Sequence, residues 1–370
     1  MPRNDLISPR VDPISDAATV ADVRRHLVPI LSKIVDSRPV SRAELRTLAA
    51  ATRDDPLPAA FDHTDDSADS ILRDRIGLLR TVGRPFARWW ASYFPDGSAT
   101  VPVDELWRLY LPFSQWILAE KRRRRPDGLF LVGFNGSPGA GKTVLTNALA
   151  VVLNHLLDPV GDGQAVARSG DDWYLGRGER ERLIPQGYDP GVPGVSNRSA
   201  PGTHDLDWLK RNLREMENST PGSVIRMGNF DKLTDDHPAG ENRHFVVRGK
   251  VGVFLFDLWF AGARTDVDPG RVPDGLRRRV AEHLRSWGDV FDRMDALWSF
   301  AWPPFEQMVA DREAQQRLME MRRGPGGMGR NQIRAFMTYM IERSWDWRTT
   351  SPVPRTTRSP SARGGIRTTP

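Results

Sequence analysis

Cysteine is absent from all 370 residues, which excludes disulfides, thiolate nucleophiles and cysteine-ligated zinc. Also missing is any apolar run approaching the roughly 18 residues that a membrane span needs. The opening stretch MPRNDLISPRVDPISD lacks the apolar core of a secretory signal, so the expected location is the cytoplasm. No internal repeat breaks the chain into copies. What is present is ordinary for a folded protein: 39% hydrophobic, 9% aromatic and 27% charged residues. The length suits two domains.

A sequence pI near 9.9 invites a nucleic-acid reading, but the placement of the charge argues against it. Of the net +6, the tail Ser351–Pro370 holds +4 and the run Lys121–Arg125 holds +5, leaving a body at −3. A nucleic-acid partner is therefore not expected. The basic segments read as a solvated linker and tail.

Periodicity divides the chain. Residues 1–120 read as a helical N-terminal region, in which SRAE (Ser41 to Glu44) is a capping box opening a helix. DSILRDRIGLLRTV is amphipathic, and VDELWRLYLPFSQWILAEK reads as an aromatic-rich helix broken near Pro112. Residues 121–127 follow as a basic linker and 128–348 as an α/β domain with a helical C-terminal part. Residues 349–370 are Ser/Thr/Pro/Arg-rich and expected to be disordered. The short apolar runs GLFLVGF and VGVFLFDLWF predict buried strands. Alternation with helices predicts a parallel α/β sheet with right-handed crossovers, flanked by helices.

Between the first of these strands and the helix KTVLTNALAVVLNHLL lies GSPGAGKT, with the G-x4-G-K-[ST] spacing of a phosphate loop. Glycines let backbone amides approach an anion closely, and the helix N-terminus adds its positive dipole end. Gly136, Ser137, Pro138, Gly139, Ala140, Gly141, Lys142, Thr143 and Val144 are the candidate nucleotide-binding residues. Lys142 would bridge the β- and γ-phosphates and Thr143 would coordinate Mg²⁺.

Further along, SGDDWYLG sets Asp171 and Asp172 beside Trp173 and Tyr174. A kinase acting on an alcohol needs a carboxylate at the acceptor hydroxyl, and often a second for metal or water. An acidic surface turn is the competing reading. In NRSAPGTHDLDWLKRNL, Asp205 fits a helix N-cap. Arg198, Thr203 and His204 occupy the preceding loop, suited to a small polar or anionic substrate. GNFDKLTDDH adds Lys232 in a stretch that also reads as a solvated charged loop.

Taken together these segments resemble the D-glycerate 3-kinase group, related to pantothenate, uridine and phosphoribulose kinases. The similarity runs from about 105 to 345, through ELWRLYLPFSQWI, GFNGSPGAGKT, SGDDWYL, RSAPGTHD, FDKLTDDHP, FLFDLWFAGAR and GPGGMGRNQIRAFMTYM. It implies an ATP- and Mg²⁺-dependent phosphotransferase acting on a hydroxyl of a small acid, glycerate or a related compound. By that analogy Lys142, Asp171 and Asp257 are catalytic, with Thr143, Asp171 and Asp257 as metal ligands. Asp172, Tyr174, Arg198, Thr203, His204, Asp205 and Lys232 would line the substrate. Arg312, Arg317 and Arg322 are lid candidates, with the solvated face of an amphipathic helix as the alternative.

Three departures stand out. Asp257-Leu258-Trp259 replaces the family's Glu-Gly-Trp, Ser199-Ala200 replaces a glycine-containing pair, and the lid arginines do not align residue by residue. All lie on the acceptor side, which suggests a kinase core with a changed acceptor. A nucleotide-binding regulatory protein without transferase activity, or an inactive kinase fold, is the alternative expectation.

Overall fold

The computed structural model describes residues 17–55, 61, 68–94, 97, 99–158 and 161–350. Of the tail expected to be disordered over 349–370, residues 349–350 end the helix Trp347–Thr350, and 351–370 fall outside the described residues. The strands are β1 (Phe130–Asn135), β2 (Gln164–Ser169), β3 (Val224–Met227), β4 (Phe245–Arg248), β5 (Val251–Asp257) and β6 (Ala296–Ser299). Four of them form a parallel sheet in the order β2-β5-β1-β6, while β3 and β4 pair as a separate antiparallel ribbon.

Both central strands are buried along their whole length, as a parallel sheet covered on two faces requires. Their side chains alternate between those faces. Phe130, Val132, Phe134, Val253 and Leu255 join a cluster with Leu145 and Leu149 of the helix Lys142–Leu153. Leu131, Phe254 and Phe256 join the opposite cluster with Leu209, Leu213, Trp287 and Phe336.

The N-terminal helices (Ala17–Val35, Arg42–Asp54, Ala68–Tyr93) pack into the first of these clusters and have no separate core. Phe113, from the helix Leu111–Arg124, lies 6.0 Å from the Phe134 ring and 4.9 Å from the Trp298 ring. Ser41 and Glu44 form the expected capping box. Pro112 does not break its segment. A π-helical turn, Leu106–Tyr110, runs directly into Leu111–Arg124. Proline lacks an N–H and crowds the carbonyl four residues back, and a wider turn relieves both.

The linker expected over 121–127 is corrected. Residues 121–124 complete a helix, and Lys121 is fully buried, donating to Pro126 O at 3.0 Å. Arg122 reaches Asp162 at 3.2 Å, Arg123 reaches Glu120 at 2.6 Å, and Arg125 reaches Asp295 at 2.9 Å. The run is a clamp at the N-terminal end of the sheet: acids pair Lys121, Arg122, Arg123 and Arg125, and Arg124 donates to the Asp295 carbonyl at 2.6 Å. Among the described residues no helix is long and apolar enough to cross a membrane.

Candidate active site

Ligands of parallel sheets sit at the carboxyl ends of the strands, and here β1 and β5 end side by side. Their register places Phe134 opposite Asp257, and β2 brings Ser169 to the other side of Asp257. Between β1 and the helix Lys142–Leu153 the loop turns through Gly139 and Gly141 at φ +85° and +83°. Those are conformations that a Cβ disfavours. A Cβ on Gly139 would also fall 2.7 Å from Asp311 Cβ and 2.8 Å from its carbonyl carbon. The helix Phe305–Arg323 thus packs directly on the loop.

Lys142, at the first turn of its helix, folds back onto the loop and donates to Gly136 O at 2.7 Å and Ser137 O at 2.9 Å. Burial lowers its pKa to about 8 against the pull of Asp257 and Asp171. Ser137 Oγ is buried with no hydrogen-bond partner. Thr143 Oγ1 lies 3.4 Å from Asp257 Oδ1, and Thr146 Oγ1 lies 3.5 Å from Asp257 Oδ2. Desolvation raises the Asp257 carboxyl above its ordinary range. A hydroxyl and a buried carboxylate beside a phosphate loop form a hard-oxygen donor pair, the kind that magnesium shares with phosphate oxygens. Among the described residues no group of three or more carboxylate and imidazole side chains is placed to hold a metal alone.

Across from this pair, the two adjacent aspartates sit on a single turn of 3-10 helix, Gly170–Trp173, that follows β2. They part company there. Asp172 turns back, taking the Ser169 N–H at 3.0 Å and an ion pair with Arg168 at 2.9 Å, so it anchors the turn. Burial raises its pKa to about 6. Asp171 instead points toward Lys232 Nζ at 2.6 Å and the Tyr174 hydroxyl at 2.6 Å. Against desolvation, Lys232, Tyr174 and His204 hold its carboxyl far below the usual carboxylate range.

Arg312 completes the cluster. It is buried, and Nη1 has no hydrogen-bond partner. Desolvation, reinforced by the neighbouring Arg198 charge, lowers its pKa to about 10, while Asp171 and Tyr174 pull the other way. Arg198 is ion-paired to Asp235, which is also gripped by Arg180 at 3.1 Å. Arg317 does not join them: its side chain is 67% exposed, 3.9 Å from Glu313. The Arg322 side chain lies outside the described residues.

The PGTHD loop divides similarly. Thr203 Oγ1 is buried and donates to Ala200 O at 2.8 Å, turned into its own loop. Asp205 caps the helix Leu206–Glu217 by accepting from Trp208 N at 2.8 Å. His204 packs on Tyr174 with ring centroids 4.5 Å apart, and neither ring nitrogen has a partner. Burial lowers its pKa to about 3.

That orphaned ring yields a first prediction. Replacing His204 with Phe keeps the stacking and removes two unsatisfied polar atoms, so stability rises by about 1–2 kcal/mol. The folded pKa lies below the unfolded value near 6.5. The unfolded state therefore binds the extra proton, and stability falls as pH drops from 6.5 toward 3. Urea midpoints across that range should fall less steeply in His204→Phe than in the unaltered protein.

A cavity of about 370 Å³ shares only Tyr174 and Asp205 with the expected site residues and contains none of the phosphate loop. Volume does not mark the site; converging charge does. Sequence reading missed Arg180, a fully buried hub donating to Leu175 O, Ser196, Asn197 and Asp235. It left a solvated charged loop as one reading of the stretch that holds Asp235. GRGERER and TDDH look like solvent-facing charge, and nothing local in them signals burial.

No family model and no curated protein matches the chain. It is similar to the solved D-glycerate 3-kinase of Cryptococcus neoformans var. grubii serotype A. That likeness has 17% identity and a TM-score of 0.48, over 64% of this chain and 89% of that one. It is also similar to a protein from Silicibacter sp. TM1040 provisionally described as a fructose transport system kinase. There the identity is 19% and the TM-score 0.42, over 65% of this chain and 93% of that one. By its own strand order, loop and register, the chain is an α/β protein of the P-loop NTPase type, similar to glycerate kinase-like kinases.

Proposed function

We propose that the chain is an ATP-dependent kinase that phosphorylates a hydroxyl of a small, carboxylate-bearing metabolite, glycerate or a related hydroxy acid. One observation carries the reading: an ionised, oriented carboxylate (Asp171) and a buried guanidinium with a free N–H (Arg312) face the same site. The phosphate loop lies beside them.

The loop residues 136–144 would hold the ATP phosphates. Thr143 and Asp257 would hold Mg²⁺, which, when bound, neutralises charge between the β- and γ-phosphates. Asp171 accepts the acceptor hydroxyl's hydrogen bond and aligns its oxygen with the γ-phosphorus. As that oxygen forms its bond to phosphorus, the bond from phosphorus to the bridging oxygen breaks and ADP leaves with the electron pair. The acceptor's proton passes to Asp171. A strongly acidic carboxylate suits this role, because phosphoryl transfer runs through a loose transition state and asks more for alignment than for basicity. Lys142 and Arg312 stabilise charge on the transferring oxygens. Lys232, paired with Asp171, and Arg198 would offer donors to an acceptor carboxylate. Phe305–Arg323, packed on the loop, would help exclude water, the competing acceptor.

The test is ADP release across hydroxy acids, pantothenate-like compounds, nucleosides and sugars, with Lys142→Ala as the blank. Hydroxy acids should raise ADP release well above that blank. If no compound does, the kinase reading falls and a binding role takes its place.

A further inference from the structure

Ser37, Ser199 and Asp235 are the non-glycine residues with positive φ among those described. Ser37 follows the end of the helix Ala17–Val35, and Asp235 is fixed between two arginines. Ser199, buried at φ +93°, lies against the acceptor cluster. A side chain in that conformation carries steric strain that glycine avoids, and such strain persists only where surrounding structure imposes it. Here Trp259 Nε1 holds the Ser199 carbonyl at 3.1 Å, and Thr203 holds the next carbonyl, of Ala200, through both its N–H and its hydroxyl. Glycine would meet every backbone demand at this position. The serine must be read through its hydroxyl.

That hydroxyl lies 3.3 Å from the Tyr174 oxygen. Tyr174 has one phenolic proton and gives it to Asp171 Oδ1 at 2.6 Å. The Ser199 contact therefore runs with serine as donor, since the phenol has only lone pairs left to offer. A directed chain results, from Ser199 through Tyr174 to Asp171, while Lys232 occupies Asp171 Oδ2 at 2.6 Å. Without the serine, the phenol is free to rotate its O–H away, and one of the two restraints on the carboxylate is lost.

We propose that Ser199 is a positioning residue of the acceptor site: its hydroxyl fixes the direction of the Tyr174 O–H, and through it the orientation of Asp171. The inference rests on the kinase reading of Asp171 and adds the reason a strained serine stands there. Networks of this kind couple their members, so breaking the chain at one link should remove most of what the other link contributes.

The experiment compares full-length Ser199→Gly, Ser199→Ala, Tyr174→Phe and the Ser199→Gly/Tyr174→Phe double variant, using the acceptor found in the ADP screen. Ser199→Gly relieves the backbone and should raise Tm by about 2 °C, whereas Ser199→Ala keeps the strain and should not. Both should lower kcat about tenfold, with KM for ATP unchanged. The double variant should turn over at the rate of Tyr174→Phe alone. A purely structural serine predicts the reverse pattern, with the stabilised glycine variant at least as active as the unaltered protein. Full turnover in Ser199→Gly, or strictly multiplicative losses in the double variant, overturns this inference and leaves the kinase reading standing. Absence of acceptor-dependent turnover in the unaltered protein overturns both, so the two failures are distinguishable.

Discussion

Asp171→Asn should lower kcat by roughly 10²–10⁴-fold, the range that a positioned acid–base group contributes, while ATP binds as before. The amide keeps the size of the carboxylate but loses its charge and one acceptor oxygen. Lys232 Nζ, now 2.6 Å from Asp171 Oδ2, would lose its ion pair, and the Tyr174 hydroxyl would lose the charged end of its hydrogen bond. The acceptor hydroxyl would face a group that no longer takes its proton. Nucleotide affinity should be spared because Lys142 and the Thr143–Asp257 pair take their hydrogen bonds from one another's segment and the loop, not from Asp171. Isothermal titration with an ATP analogue beside a turnover assay separates these two effects. Equal losses in affinity and turnover would place Asp171 in nucleotide binding instead.

Lys142→Ala should remove turnover by about 10²–10³-fold or more, as loss of a transition-state charge partner does, and should also weaken ATP binding. Its effect on the nucleotide-free protein runs the other way. Lys142 is buried with its pKa lowered to about 8, from an unperturbed 10.5. The unfolded state therefore holds a proton that the folded state releases between pH 8 and 10.5, so this group adds stability as pH rises through that window. Below pH 8 the folded protein bears the full cost of a buried ammonium, at about 3 kcal/mol. The alanine variant should thus unfold at higher urea than the unaltered protein at pH 7, and the gap should close toward pH 10. Phosphate oxygens compensate the charge, so saturating ATP should reverse the order of stability. An alanine variant less stable than the unaltered protein at pH 7 would show that the two loop carbonyls hold Lys142 more strongly than burial penalises it.

The sheet and the glycine loop with its helix were legible because their signals are local. Fully apolar β1 and β5, the glycine spacing and the apolar face Leu145, Ala148, Leu149 and Val152 each report on contiguous residues, and each lies where expected. The Asp205 cap and the Ser41–Glu44 box were legible for the same reason. Across from the loop, residue type was legible and role only in part. Asp171 and Asp172 are neighbours in sequence, yet one turn of 3-10 helix sends one to Lys232 and the other to Arg168. Thr203 and His204 are likewise adjacent, one satisfied by its own loop and the other left without partners.

Other features depend on meetings across long separations. Arg180 and Arg198 share Asp235, 55 and 37 positions away, and Arg125 meets Asp295 across 170. Charged runs such as KRRRR carry the same composition whether solvated or paired, so composition misassigned a helix end as a linker. Among the three lid candidates, helical periodicity separates Arg312 from Arg317 only once the buried face is known. Ser199 was visible as part of a departing pair, Ser199-Ala200. Its positive φ was not, because a serine normally announces the opposite.

The central claim is transfer of the γ-phosphoryl group to a small organic hydroxyl. ATP labelled on the γ-phosphorus, incubated with the full-length protein and the best hydroxy acid from the screen, tests it in one step. The account predicts label in a phosphate monoester of the acceptor, at a rate that collapses in Asp171→Asn. Label appearing only as inorganic phosphate, at a rate indifferent to the acceptor and to Asp171, would contradict it.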